Sequence, residues 1–186
     1  MTQRSREEGK KKVVEALNKA RSMELQAIHQ YMLHHYDLDN MDYGDMAGKV
    51  KLIAIDEMRH AEMFADRIEE LGGAPTSDIA GKIEKGQPVE AIFPYDAGEE
   101  DKAIAAYNEF HRICRENGDN ASAKVFETII DEEQVHFNYF DGVDGHIRNL
   151  GPAYLARVAG TPSATGLATQ GFVARQAGGG KPQGPA

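Results

Sequence analysis

The stretch Ile53-Ala54-Ile55-Asp56-Glu57-Met58-Arg59-His60-Ala61 sets a glutamate three residues before a histidine inside an apolar stripe, and Ile129-Ile130-Asp131-Glu132-Glu133-Gln134-Val135-His136 does so again. Residues three apart on an α-helix share a face, so Glu57 with His60, and Glu133 with His136, each present a carboxylate and an imidazole to one spot. Working outward, Glu24 stands 33 residues before Glu57, and Glu100 stands 33 before Glu133. The copies match beyond those positions: Glu24-x-x-Ala27-Ile28-x-x-Tyr31 is answered by Glu100-x-x-Ala103-Ile104-x-x-Tyr107. No other Glu-x-x-His occurs in the chain. One such pair is weak evidence for a metal, but its duplication inside matching apolar faces is strong, because accident does not reproduce distance and neighbours together.

The apolar residues around these positions recur at helical steps. Val13, Leu17, Ala20, Glu24, Ala27, Ile28 and Tyr31 form the inward face of a helix from about Glu8 to Tyr36. Val50, Ile53, Glu57, His60, Phe64, Ile68 and Leu71 form a second face, which stops at Gly72-Gly73. A third is expected to begin at Asp96, as a cap with Glu99 reaching back, and to run through Glu100, Tyr107, Phe110 and Cys114 to Gly118. The fourth, capped by Asp119 or Asn120, carries Phe126, Ile129, Glu133, His136, Phe140, Val143 and Ile147.

Short links near Asp37 to Asp42 and Asn117 to Asn120 make antiparallel pairs of the first two helices and of the last two. Between the pairs, Gly73 to Tyr95 is rich in Gly and Pro and lacks helical period. A helix of roughly 29 residues is about 43 Å long, whereas that connection spans up to roughly 75 Å, so it crosses the whole bundle. The fold class is therefore all-α, a ferritin-like four-helix bundle with one long crossover, and Ala153 to Val158 adds a short fifth helix. Residues 1–160 form the bundle domain, and residues 161–186 form a Gly/Pro/Ala-rich tail whose end, from Gly178, is expected to be mobile.

Composition bounds what such a bundle does. With 186 residues, 41% hydrophobic and 27% charged, the chain buries a sizeable core in one domain. A formal charge of -9 disfavours nucleic acid and anionic membrane as partners and suits a protein that gathers cations. Lys10, Lys11 and Lys12 read as a solvated helix end, since three lysines neutralise few phosphates. Cys114 is the only cysteine, which excludes an intramolecular disulfide, a zinc ribbon and a rubredoxin-type centre within the chain. No stretch approaches the ~18 apolar residues of a membrane span, and the expected compartment is the cytoplasm.

Four helices thus bring Glu24, Glu57, His60, Glu100, Glu133 and His136 to one interior, the ligand set of a carboxylate-bridged two-metal centre. Four ionised carboxylates buried together would repel one another and lose hydration, at several kcal/mol each. Two divalent cations neutralise them. Mixed oxygen and imidazole donors suit iron or manganese better than calcium or magnesium, and differ from the thiolate-rich set of structural zinc.

At this point the residues resemble a bacterioferritin. The blocks Met23-Glu24-Leu25-Gln26-Ala27-Ile28-His29-Gln30-Tyr31, Ile55-Asp56-Glu57-Met58-Arg59-His60-Ala61-Glu62 and Asp131-Glu132-Glu133-Gln134-Val135-His136 fall where that family keeps its motifs, and the resemblance covers about residues 10 to 160. It implies a 24-subunit shell of two-fold dimers around an iron-storage cavity. It implies that Glu24 and Glu100 are terminal ligands, that Glu57 and Glu133 bridge two irons, and that His60 and His136 complete the metal shells. Fe(II) oxidised by dioxygen or hydrogen peroxide would be stored as ferric mineral. Met58, about 100 degrees round the helix from Glu57, points away from the metal face. In that family a methionine in the Glu-Met-x-His context binds haem iron opposite its two-fold mate, so the resemblance implies a haem, b-type by default, shared between two subunits. Leu25, Ile28 and Met32 are candidates for lining its pocket, and a ferredoxin-like donor would reduce it. Some members keep a histidine five before the second-helix glutamate as an inner-surface iron ligand; this chain has Leu52 there but retains Asp56.

Tyr31 and Tyr107 lie two turns from Glu24 and Glu100 on the same faces, placing their hydroxyls within reach of ligand carboxylates, as plain buried partners or in a redox role. His29, His34, His35, His111 and His146 have no spacing partner and are expected at the surface or just outside the ligands. Two rival readings stand beside storage. A rubrerythrin-type peroxide scavenger lacks its cysteine pairs here, and a DNA-protecting mini-ferritin would not need this duplicated internal set.

Overall fold

Four amphipathic stripes become four long helices, α1 (Gln3–Asn40), α2 (Gly44–Glu70), α3 (Val89–Glu116) and α4 (Asn120–Leu150), followed by α5 (Pro152–Val158) and α6 (Phe172–Ala177). This computed structural model describes residues 3–163 and 170–177, and the segment from Gly178 expected to be mobile lies outside them. Among the described residues the isolated pairing of Tyr43 with Thr161 stands in place of any sheet. Among the described residues no helix is long and apolar enough to cross a membrane.

The helix ends follow from local chemistry. Gly72 adopts φ 70° after α2, and Gly118 adopts φ 75° after α3. Each leaves room for the paired bonds that close a final turn: Gly73 N–H reaches Ile68 O at 2.9 Å, and Asp119 N–H reaches Cys114 O at 2.9 Å. Asp119 then caps α4, accepting from Ser122 N–H at 2.9 Å and from Arg67 Nη2 at 2.9 Å, so one carboxylate starts α4 and ties it to the end of α2. Asp42, at φ 71°, makes the turn between α1 and α2, which occupies only residues 41–43. Both helices outrun the stripe read from the sequence.

α3 begins seven residues before the expected start. Asp96 is not a cap but a fully buried residue inside the helix. Pro94 sits in the second turn, where it forfeits one hydrogen bond, yet Val89, Ile92 and Phe93 are all buried and outweigh that loss.

The crossover, residues 71–88, runs along α1 instead of hanging free. Asn18 holds it at Ala74 and Thr76, Arg21 Nε donates to Thr76 O at 2.8 Å, and Ala80 N–H donates to Ser22 O at 3.0 Å. Farther along, the Gln30 amide donates to Glu84 O at 2.9 Å and accepts from Glu84 N–H at 2.8 Å. The connection thereby travels from the start of α1 toward its end, α3 returns antiparallel to α1, and α2 and α3 run parallel. This is the long-crossover bundle expected from the sequence.

The apolar core is split. One cluster includes Leu38, Val50, Ile53, Ile92, Phe93 and Phe140; the other includes Val13, Leu17, Phe64, Ile68, Phe126 and Ile129. Between them lies a layer of buried charge. The tail also contributes an element that the sequence reading did not assign: Phe172, buried beside Tyr139 at 5.0 Å between ring centroids, docks α6 on α2 and α4.

Candidate metal centre

Each long helix delivers its carboxylate to the middle of the bundle because the stripe spacing holds a polar residue on the inward face between apolar turns. Glu24, Glu57, His60, Glu100, Glu133 and His136 are all at most 2% exposed. The structure brings all six together. They form two overlapping sets, Glu24, Glu57, His60 and Glu133, and Glu57, Glu100, Glu133 and His136, with candidate ligand atoms in each set within 4.8 Å of one another. Glu57 and Glu133 belong to both.

The two histidines show where a cation fits. His60 Nδ1 lies 3.0 Å from Glu57 Oε2, 3.3 Å from Glu133 Oε1 and 3.8 Å from Glu24 Oε2. His136 Nδ1 lies 3.0 Å from Glu133 Oε2, 3.0 Å from Glu57 Oε1 and 3.9 Å from Glu100 Oε1. One N–H serves one acceptor well, so three carboxylates converging on each nitrogen compete for it. Glu57 Oε1, despite its short distance, lacks hydrogen-bond geometry to any partner. A divalent ion at each convergence would meet this demand.

The outer nitrogens are spoken for. His60 Nε2 meets Glu132 Oε2 at 3.1 Å, and His136 Nε2 meets Asp56 Oδ2 at 3.4 Å. A carboxylate on Nε2 keeps the proton there and turns the Nδ1 lone pair inward, which is how metal-binding imidazoles are ordinarily set. Asp56 and Glu132 each directly precede a glutamate common to both sets, and each meets the histidine of the other helix. The signal for this pair is present in the repeat, an acidic residue before each Glu-x-x-His, whereas the family resemblance points to Asp56 alone, as a separate iron ligand. Asp56 is not a free ligand: Oδ1 faces Arg59 Nη1 at 3.5 Å, and Oδ2 accepts from Val173 N–H at 3.0 Å besides meeting His136.

The tyrosines cross the repeat. Tyr31 OH donates to Glu100 Oε1 at 2.7 Å, and Tyr107 OH donates to Glu24 Oε1 at 2.6 Å. Burial, then the carboxylate each one touches, raises both phenols well above their usual range, so they remain donors.

Without metal, protons offset part of the cluster's negative charge. Burial and then repulsion from Glu133 raise Glu24 and Glu100 well above the carboxylate range. Burial works against charge at Glu57 and Glu133 as well, but the flanking imidazoles pull both below it. Burial also opposes charging of His60 and His136, and there the carboxylates win, Glu133 acting chiefly on His60 and Glu57 on His136. Protons are thus favoured on Glu24, Glu100, His60 and His136, and negative charge on Glu57 and Glu133. Metals would displace those protons.

A cavity of about 260 Å³ reaches from Glu24, Glu57, Glu100 and Glu133 outward past Gln26 to Glu99, Lys102 and Ala80, between α1, α3 and the crossover. On the flank of α2 away from Asp56, Met58 is 47% exposed, with Leu25, Ile28 and Met32 half-buried. Of the remaining histidines, His29 and His146 face solvent and His111 pairs with Glu127. His34 and His35 do not. His35 Nδ1 donates to Ala47 O at 2.9 Å, and His34 bridges Gln30 at 2.7 Å and Asp96 at 2.9 Å in a sealed polar network that anchors the crossover to α1 and α3. Burial raises Asp96 to about 6 even with His34 beside it.

Comparison with known proteins places this arrangement. The Ferritin family, described as a ferritin-like domain, matches residues 14–150. The bacterioferritin of Desulfovibrio desulfuricans is 58% identical over 169 residues, covering 91% of this chain and 94% of that protein. The bacterioferritin of Streptomyces coelicolor is 35% identical, covering 81% and 91%. Among solved structures, the Desulfovibrio desulfuricans bacterioferritin, studied for its diiron site in different catalytic states, superposes with a TM-score of 0.86 over 90% of this chain and 98% of that one. Mycobacterium tuberculosis BfrA gives 0.75 at 32% identity, over 79% and 93%.

Proposed function

Since the chain belongs to the bacterioferritin family of ferritin-like proteins, we propose that its six buried residues form the diiron centre of an iron-storing ferroxidase. Glu24 and Glu100 are terminal ligands, Glu57 and Glu133 bridge, and His60 and His136 bind through Nδ1. The observation that carries this reading is the convergence of three carboxylates on each Nδ1, with the opposite nitrogen already bonded.

Fe(II) is the substrate. Each of two Fe(II) gives up one electron, and dioxygen takes both with two protons to become hydrogen peroxide, or peroxide takes them with two protons to become two waters. Carboxylates suit this chemistry because hard anionic oxygens favour Fe(III) over Fe(II) and can shift between chelating and bridging modes. Asp56 and Glu132 fix the imidazoles, while Tyr31 and Tyr107 hold the terminal carboxylates in the dry interior. The cavity between α1 and α3 is the approach for Fe(II), with Glu99 at its rim. The product is stored as ferric mineral inside a homo-oligomeric shell.

The finer features follow the family. Met58, a large apolar residue left 47% exposed on one flank of α2, fits a thioether ligand to a haem shared with a second subunit, and Leu25, Ile28 and Met32 fit its surround. The haem would supply electron transfer from a ferredoxin-like donor toward stored iron. The shell would hold 24 subunits in the cytoplasm.

The test is Glu57→Ala with Glu133→Ala. The assembled double variant is expected to lose rapid Fe(II) oxidation; oxidation at the original rate would show that the centre lies elsewhere. Loss of the Soret band in Met58→Leu checks the haem ligand, and a large hollow particle on size exclusion separates storage from peroxide scavenging.

A further inference from the structure

The repeat that builds the centre extends to the acidic partners of the two imidazoles, but one of those partners carries a cover that the other lacks. Glu132, the partner of His60, has a side chain 34% exposed. Asp56, the partner of His136, has a side chain 2% exposed. What covers it is the C-terminal segment. Val173 N–H donates to Asp56 Oδ2 at 3.0 Å, and the ring of Phe172 sits 6.4 Å from that of His136. Gly171 passes so close that a Cβ there would overlap the Asp56 carboxylate.

We propose that residues 171–173 form a strap that locks Asp56, and through it the imidazole of His136, so that a metal held by the second half-site leaves readily only when the strap lifts. The proposal rests on the dimetal reading of the centre. Its physical basis is the sharing of Asp56. The oxygen that meets Nε2 of His136 also takes a backbone N–H from outside the bundle, so Asp56 is held in place and the imidazole can turn away only by parting from a carboxylate that cannot follow it while the strap is down. Phe172 adds the apolar seal over the seam between α2 and α4, opposite the cavity that opens between α1 and α3. Entry and retention thus belong to different faces.

Two substitutions separate the components. Val173→Pro removes the N–H donor in a first helical turn, where proline is tolerated, and Phe172→Ala removes the seal. In the full-length assembled protein, loaded with Co(II) and challenged with a chelator, release is expected in two phases. Val173→Pro should speed the slow phase by about tenfold, the effect of losing one hydrogen bond to a buried charge, Phe172→Ala should speed it as well, and neither should alter the fast phase. Release at unaltered rates, or equal acceleration of both phases, would overturn the strap while leaving the centre intact. Uptake of fewer than two Co(II) per chain by the unsubstituted protein would overturn the dimetal reading and the strap with it. Hydrogen exchange gives a metal-free check: the peptide holding Val173 should exchange slowly in the parent and rapidly in Phe172→Ala, and rapid exchange in the parent would also overturn the strap.

Discussion

Glu24 and His60 on one side of the shared pair Glu57 and Glu133, and Glu100 and His136 on the other, are related by an internal repeat that extends to the tyrosines and to the acidic partners of Nε2. The likeness stops at the second carboxylate. Glu132 reaches solvent, so water can replace or supplement it; Asp56 is enclosed by α6 and has no substitute. Duplication reproduces what lies within each helical hairpin. Anything supplied from outside the hairpins, as α6 is, falls on one half only, and it makes two chemically equal sites unequal in how firmly they hold a metal.

The sharpest way to break this comparison is to remove ligands from one half or from both. Glu133→Ala strips a carboxylate from each half-site and should abolish tight uptake of both Co(II) ions in a spectroscopic titration. His60→Ala, by contrast, should leave one. If His60→Ala lost both, the halves would be a single cooperative unit and the comparison would fail.

Protons give the next test. Loading two divalent ions should release protons from Glu24, Glu100, His60 and His136, read as acidification of a weakly buffered solution. The same four groups bind protons more tightly folded than unfolded. Their contribution to stability is therefore complete at low pH, for the histidines below the ordinary 6.5, and is lost as pH rises through the folded values. Glu57 and Glu133 act oppositely, stabilising above 4.5 and losing that contribution as pH falls. Thermal unfolding of the metal-free protein should accordingly show a midpoint that drops from pH 6.5 upward, and metal should rescue it most at the alkaline end. A metal-free midpoint that rose with pH would contradict the proton inventory.

Much of this was legible in the sequence because it is periodic. The convergence of the six residues, the two tyrosines, both glycine stops and the crossover follow from spacing, and spacing is what a helix converts into direction. The start of α3 was not legible: Pro94 and Asp96 look like a boundary locally, and only the burial of Val89, Ile92 and Phe93 against other helices overrides them. His34 is another case. Its partner Asp96 lies 62 residues away with no repeat to announce it, whereas Asp56 and Glu132 are announced by their place before the glutamate of each Glu-x-x-His. α6 was missed because six residues after a Gly-rich stretch carry no period, and their structure depends on the pocket that Phe172 fills.

The acidic partners sharpen the comparison further. Removing a carboxylate that orients a metal-binding imidazole ordinarily weakens metal affinity by about 10- to 100-fold. Asp56→Asn should reach that range at its half-site, because no water can enter behind α6. Glu132→Gln should stay below about tenfold, because its position is wet. Isothermal titration with Co(II) resolves the two, and equal losses would mean that the cover over Asp56 is energetically silent.

The smallest effect tests whether the halves are equal at their innermost layer. Tyr31→Phe and Tyr107→Phe each remove one hydroxyl and leave the ring, which stays packed on Phe140 at 5.3 Å in one cluster and on Phe64 at 5.6 Å in the other. The stability lost should therefore report the hydrogen bond alone, about 1–2 kcal/mol for a buried acceptor left without its donor. Both tyrosines are sealed, and both donate to a terminal carboxylate of the same kind at nearly the same distance. Denaturant unfolding of the metal-free variants should then give losses that agree within about 0.5 kcal/mol, close to the scatter of such measurements. A much larger loss for Tyr31→Phe would place the asymmetry inside the centre, on the Glu100 side, and α6 would no longer be its sole source.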